Sequence, residues 1–143
     1  MLAGQLALIV AAIFSGAAFY VNFAEHPARM HLDVAGMLTE WKPAYDRGFR
    51  MQAPLAIVGF LLGALAWWQT GSWLFLDGAI LMLANWPYTL FVIQPVNNQL
   101  DATDPAKAGG ETRALLDRWN TLHAARTGLG VAATILFLIA LQP

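Results

Sequence analysis

Two short stretches of the chain carry side chains that can move protons or stabilise a negative charge. Glu25 and His26 are adjacent, and His123 precedes Arg126 by one helical turn. A histidine, whose ordinary pKa is near neutrality, can act as a general base, and a carboxylate can orient or polarise it. An arginine can stabilise the oxyanion that forms when a substrate loses a proton. We therefore predict that His123, His26, Glu25 and Arg126 form a catalytic set.

Amides and aromatic rings enter the apolar stretches near the same residues. Asn85, Tyr88 and Thr89 have the spacing of one helical face. Amide groups can help to stabilise an anion, and aromatic rings can stack on a planar substrate. The predicted substrate-binding residues are Asn22, Asn85, Trp86, Tyr88, Asn97 and Trp119.

The composition indicates that these residues belong to a membrane protein. Of 143 residues, 58% are hydrophobic and 12% are charged, whereas soluble domains average roughly 45–50% and about 25%. The mean hydropathy of +0.52 argues against a soluble globule and against disorder. A net charge of -1 offers no basic surface for nucleic acid. The absence of cysteine excludes disulfides, zinc–thiolate sites, iron–sulfur clusters and thiol catalysis.

Long charge-free runs predict four transmembrane helices, because about 20 helical residues cross ~30 Å of hydrocarbon. A helix also satisfies its own backbone hydrogen bonds in lipid. We expect one all-α domain over 1–143, an integral membrane four-helix bundle with extramembrane helical loops on one side. The predicted helices span about 2–26, 43–68, 73–94 and 111–141.

Basic residues predict the orientation of this bundle. All 8 lysines and arginines lie in or beside the loops at about 25–51 and 94–120, and we call the end that carries these loops the loop end. The positive-inside rule places the loop end in the cytoplasm. Both termini would then lie on the non-cytoplasmic side, with the plasma (inner) membrane as the expected location.

The depth of two polar residues predicts a pocket inside the loop end. Arg126 and Asn85 lie roughly 8–13 Å inside it by helical rise. Because a buried arginine costs several kcal/mol without a partner, we expect Arg126 to face the bundle interior and to pair with Glu25, with Asp46 behind it. Pro87 removes a backbone hydrogen bond, which predicts a kink that opens space beside Asn85.

Other prolines predict helix ends. Pro27 should bend or end the first helix, and Pro43 should lie in the first turn of the second helix. A short amphipathic helix is predicted over 28–38.

Alternatives to an enzyme remain open at the level of the sequence. Copper, iron or haem could be held by Glu25, His26 and His123 if helices one and four contribute together. A non-enzymatic membrane subunit that binds a lipophile is the other alternative. The expected partners are the lipid bilayer and a lipophilic small molecule, with no nucleic acid. Whether the protein forms oligomers is left open.

Three sequence stretches resemble a known family. They are YVNFAEHPARM from Tyr20, ANWPYTLFVIQPVNNQL from Ala84 and RWNTLHAAR from Arg118. Asn and Glu-His-Pro end helix one, Pro-x-Asn follows helix three, and Trp-x-x-x-His-x-x-Arg leads into helix four. This set resembles the anthrone oxygenase-like family of small four-helix membrane proteins.

The resemblance implies an oxygenase or oxidase that acts on a lipophilic phenolic or quinol-like substrate. Fungal members of the family are associated with the oxidation of anthrones to anthraquinones by dioxygen, without an obvious organic cofactor. The cofactor is left open: the reaction could need none, or the protein could use copper, iron or haem.

Overall fold

The computed structural model describes residues 1–143 and contains helices as its only regular secondary structure. Four helices are long and apolar enough to cross a membrane, which confirms the predicted all-α fold. They are α1 (Leu2–Arg29), α2 (Val34–Thr70), α3 (Trp73–Ala102) and α4 (Gly110–Ala140).

The helices form a closed square in which each packs mainly against two neighbours. The contacts run from α1 to α2, from α2 to α3, from α3 to α4 and from α4 back to α1. On α1, the buried residues Ala3, Ala7 and Ala11 repeat once per turn. Such small side chains let neighbouring backbones approach closely, which is how helices gain contact in lipid.

Glycines make room for one large aromatic ring away from the loop end. Phe137 of α4 is fully buried and stacks on Phe75, with ring centroids 6.2 Å apart. A Cβ atom at Gly78 would lie 2.5 Å from Phe137, and one at Gly63 would lie 2.8 Å from it. Gly71 ends α2 at φ 72°, a left-handed conformation that favours glycine in the tight turn to α3.

Helix α2 begins well before Pro43, so the prediction of its start is wrong. Asp33 caps the helix by accepting a hydrogen bond from the Gly36 backbone N–H at 2.8 Å. The predicted amphipathic segment over 28–38 is in part the first turns of α2, where Met37 and Trp41 are fully buried. Their burial offsets the loss of the hydrogen bond that Pro43 cannot donate to the carbonyl of Thr39, and both Thr39 and Pro43 are exposed residues.

A short π-helical segment interrupts α1, and another interrupts α3. They span Val21–Glu25 and Thr89–Ile93, and each is followed by one residue and then a proline, Pro27 or Pro95. A proline cannot donate to the carbonyl four residues earlier, and the wider turn accommodates that loss without ending the helix. Thus α1 continues to Arg29 and α3 to Ala102, beyond their predicted ends.

Candidate functional site

Two adjoining cavities lie in the loop-end half of the bundle. The larger, of about 230 Å³, lies mainly between α2 and α3, and the smaller, of about 30 Å³, lies among α1, α2 and α4. Tyr45, Phe49 and Arg126 line both and form the wall between them. The structure therefore has two cavities in the part of the bundle where the sequence predicts one pocket.

Arg126 is a buried cation without an ionic partner. Its residue exposure is 7%, and its Nη2 donates to Gln52 Oε1 at 3.2 Å. The guanidinium carbon lies 5.6 Å from the ring centroid of Phe14, while Nε has no hydrogen-bond partner. No carboxylate forms an ion pair with Arg126, so the predicted pair with Glu25 is wrong.

Glu25 instead belongs to a second charged cluster. Arg29 is buried and forms ion pairs with both Glu25 and Glu40. Arg29 also lies above the ring of Trp119, with its guanidinium carbon 5.9 Å from the centroid. The spacing of Glu25 and Arg29, one turn apart on α1, explains why Glu25 pairs within its own helix.

His123 presents an unpartnered nitrogen beside Arg126. The residue is 3% exposed, and its imidazole stacks on Trp119 at 5.1 Å between centroids and 18° between planes. His123 lines the smaller cavity together with Glu25, Gln52 and Arg126. Its Nε2 is buried and makes no hydrogen bond within the protein, so it can accept a proton or a hydrogen bond from a bound molecule.

The larger cavity has a polar wall on α3. Asn85 is 2% exposed, and Thr89 lies one turn further along the same helix. Asn85 Oδ1 and Thr89 Oγ1 are both buried without a hydrogen-bond partner. Trp86 stands beside them, donates from Nε1 to the Ala53 carbonyl at 3.2 Å and meets the Phe49 ring edge-on.

His26 does not line either of these cavities. Its Nε2 lies 3.4 Å from Asp117 Oδ1, and its Nδ1 is buried without a partner. The contact with Asp117 joins α1 to α4 at the loop end. Among the predicted catalytic residues, the structure therefore brings His123, Arg126 and Glu25 together and leaves His26 outside.

Several predicted substrate-binding residues use their polar groups to join helices. Asn22 Nδ2 donates to Asn120 Oδ1 at 2.7 Å, and Asn22 Oδ1 accepts from Thr127 at 2.7 Å. Tyr88 donates to the backbone carbonyl of Leu122 at 2.9 Å. Neither Asn22 nor Tyr88 lines either cavity.

Asn97 likewise joins helices, through side chains at the cavity walls. Its Nδ2 donates to the Tyr45 hydroxyl at 3.0 Å, and its Oδ1 accepts from Trp119 Nε1 at 2.8 Å. Tyr45 lines both cavities and Trp119 lines the smaller one, whereas Asn97 lines neither. Asn97 therefore holds two wall residues in place.

Sequence reasoning missed several wall residues, among them Tyr45, Phe49 and Gln52. All three lie on one face of α2, at spacings of four and three residues. Gln52 is buried and is the hydrogen-bond partner of Arg126. A polar amide at the start of a charge-free run was the signal that could have identified it.

The donor set does not fit the metal-ion alternative. No group of three histidine, aspartate or glutamate side chains is arranged to hold a metal ion. His26 contacts Asp117, whereas His123 stacks on Trp119. Glu25, His26 and His123 therefore do not form the proposed ligand group.

Comparison with known proteins identifies a family. A family model described as anthrone oxygenase matches residues 41–136. The chain is 30% identical over 142 residues to the anthrone oxygenase tpcL of Aspergillus fumigatus, covering 92% of this chain and 88% of the relative. It is 31% identical over 122 residues to the anthrone oxygenase ptaC of Pestalotiopsis fici, covering 74% and 85%.

No solved structure matches the chain. The stretch that the family model matches contains all the residues that line the larger cavity, including Asn85 and Arg126. It also contains His123. On these matches, the chain belongs to the anthrone oxygenase family.

Proposed function

We propose that this protein is a membrane oxygenase that oxidises a lipophilic phenolic or quinol-like substrate of the anthrone type with dioxygen. The observation that carries the proposal is Arg126, a buried cation without a carboxylate partner in the wall between two cavities. An uncompensated buried charge costs several kcal/mol, and a bound anion would offset that cost. The site is therefore suited to a ligand that becomes negatively charged.

Loss of a proton from an anthrone or a phenol produces such an anion. Negative charge then develops on oxygen, where the guanidinium of Arg126 can stabilise it more strongly in the transition state than in the neutral substrate. Gln52 holds the guanidinium through its Oε1 atom. This arrangement makes Arg126 the electrostatic catalyst in the proposal.

His123 is the proposed proton acceptor. Its unpartnered Nε2 and the guanidinium of Arg126 belong to the same small cavity. A volume of about 30 Å³ exceeds the ~10–15 Å³ that one water molecule requires, so a water can relay the proton to the imidazole. Glu25 lines the same cavity and is partly exposed, which gives the proton a route toward the loop end.

The reaction balances with dioxygen as the oxidant. For an anthrone, the methylene carbon loses its two hydrogens and gains an oxygen, which is a four-electron oxidation. Dioxygen accepts the four electrons, and its O–O bond breaks. One oxygen atom becomes the new carbonyl, and the other leaves as water with the two protons. His123 handles the first of these protons in our proposal.

Access from the bilayer is consistent with a lipophilic substrate. Phe49 and Leu90 line the larger cavity and are 39% and 53% exposed, so the cavity opens sideways between α2 and α3. This surface belongs to helices long and apolar enough to cross a membrane. A planar lipophile could therefore move from the hydrocarbon to the cavity without passing through water.

Oxygen consumption by the purified protein in detergent tests the proposal. With an anthrone as substrate, we expect one dioxygen consumed per quinone formed, and with ¹⁸O₂ one labelled atom in the new carbonyl. His123→Ala should lower turnover by about 10²–10⁴-fold while the protein remains folded. The matched control is His31→Ala, because His31 is exposed and lies outside both cavities.

Two results would contradict the proposal. Turnover by His123→Ala equal to that of His31→Ala would remove the assigned base. Tight binding of the anthrone without any protein-dependent oxygen uptake would favour the alternative of a non-enzymatic lipophile-binding protein.

A further inference from the structure

We infer that Asn85 makes the larger cavity selective for ligands with a free hydroxyl group, because such a hydroxyl donates a hydrogen bond to Asn85 Oδ1. This inference deepens the proposed function and rests on it for the type of ligand. It concerns the edge of the ligand that faces α3, whereas the proposed reaction occurs at the edge that faces Arg126.

The hydrogen bonds of Asn85 fix which of its atoms is available. Nδ2 donates to the backbone carbonyls of Leu81 and Met82, each at 3.2 Å. Reversing the amide would place Oδ1 against these two carbonyl oxygens, which are acceptors as well. The donor groups of Asn85 are therefore used within α3, and Oδ1 is left as an acceptor without a partner.

The surroundings of Oδ1 make an unpartnered acceptor unfavourable. Asn85 is 2% exposed, and Ala53, Ala56 and Trp86 line the cavity near it. The indole nitrogen of Trp86, the nearby donor on the same helix, is already bonded to the Ala53 carbonyl. A buried acceptor without a partner costs about 1–3 kcal/mol, which a ligand O–H would recover.

The cavity is thus chemically different at its two sides. Arg126 offers only N–H donors, while Asn85 offers only an acceptor toward the cavity. Thr89 Oγ1, one turn from Asn85, is a second unpartnered oxygen on the same wall, and as a hydroxyl it can accept as well as donate a hydrogen bond. A ligand that satisfies both sides accepts hydrogen bonds or carries negative charge at one edge and donates an O–H at the other. A hydroxylated planar ring system has this pattern, and its O-methyl ether does not.

Binding of quinones, which do not turn over, tests the selectivity separately from the reaction. The probes are a hydroxyanthraquinone and its O-methyl ether, and the readout is quenching of tryptophan fluorescence, since Trp86 lies in the cavity wall. We expect the wild-type protein to bind the hydroxyl compound about 10- to 100-fold more tightly. In Asn85→Leu the preference should fall below about threefold, chiefly through weaker binding of the hydroxyl compound.

Gln99→Leu is the matched control, because Gln99 is an exposed amide residue on the same helix that lines neither cavity. This variant should keep the wild-type preference. If Asn85→Leu does not fold, Asn85→Ala, which removes the same acceptor with a smaller side chain, is compared in its place. Thr89→Val, which removes only the second oxygen, should reduce the preference in part.

Equal affinity of the wild-type protein for the two quinones would overturn the inference, as would an unchanged preference in Asn85→Leu. Failure to bind either quinone would overturn it as well. A clear hydroxyl preference without oxygen consumption would support the selectivity of Asn85 and contradict the oxygenase reaction, so the two failures are distinguishable.

Discussion

Replacing Arg126 with methionine should make the unliganded protein at least as stable as the wild type and much less active. Arg126 is buried, bonds to the neutral amide of Gln52 and lies over the ring of Phe14. Methionine keeps much of the volume and removes the charge. Arg29→Met is the comparison, because Arg29 is also buried but pairs with two carboxylates.

The magnitude follows from the partners of each arginine. Removing Arg126 forfeits about 1.5–3 kcal/mol for the charged hydrogen bond and about 0.5–2 kcal/mol for the ring contact. It also removes the cost of keeping an uncompensated ion out of water, which is several kcal/mol. With that cost taken as about 5 kcal/mol, the net change in the free energy of unfolding is between zero and about +3 kcal/mol.

Arg29→Met should have the opposite sign. It leaves Glu25 and Glu40 without their shared cation, and breaking a buried ion pair costs about 3–5 kcal/mol. Because both carboxylates are partly exposed, we expect a loss of up to about 3 kcal/mol. The two substitutions are the same chemically and each removes a contact with an aromatic ring, so the difference between them reports chiefly the ionic surroundings.

Thermal unfolding in detergent and oxygen consumption with an anthrone measure both effects. Arg126→Met should unfold at or above the wild-type temperature and should lose about 10²–10³-fold in turnover. The reasoning is refuted if Arg126→Met is destabilised as much as Arg29→Met, or if its turnover stays within about threefold of the wild type.

Two further substitutions test the packing that positions the site. Gly78→Ala should lower the free energy of unfolding by about 1–3 kcal/mol, because the added Cβ would lie 2.5 Å from Phe137. Gly16→Ala, with nothing within 4 Å of the new atom, should be neutral or stabilising; a similar loss in both would contradict the steric explanation. Asn22→Leu should cost about 1–3 kcal/mol, since it removes the hydrogen bonds between α1 and α4, and chemical denaturation in detergent checks this value.

The fold was predictable because the length of an apolar run determines a membrane-spanning helix. The helix ends at the loop end were less predictable, since the cost of a proline depends on its surroundings. Pro43 and Thr39, whose carbonyl loses its hydrogen bond, are both exposed, and at Pro27 a wider helical turn accommodates the loss. Neither circumstance can be derived from the proline itself.

For the candidate site, the sequence predicted which residues matter better than it predicted the contacts between them. The sequence identified His123, Arg126 and Asn85 as costly polar groups inside an apolar bundle, and the structure places all three in cavity walls. The partner of Arg126 was not predictable, because it depends on how far α1 and α2 are rotated about their axes. Glu25 is turned toward Arg29, which leaves Gln52 to meet Arg126.

The π-helical segments imply where chain length can vary within this family. Each segment accommodates one residue more than an α-helical turn, and adding a residue to a regular helix would rotate everything beyond it by about 100°. Single-residue insertions and deletions among relatives should therefore concentrate at Val21–Glu25 and Thr89–Ile93. A gap elsewhere, for example between Ala7 and Ala11, would turn some of the buried alanines of α1 toward lipid and open the bundle.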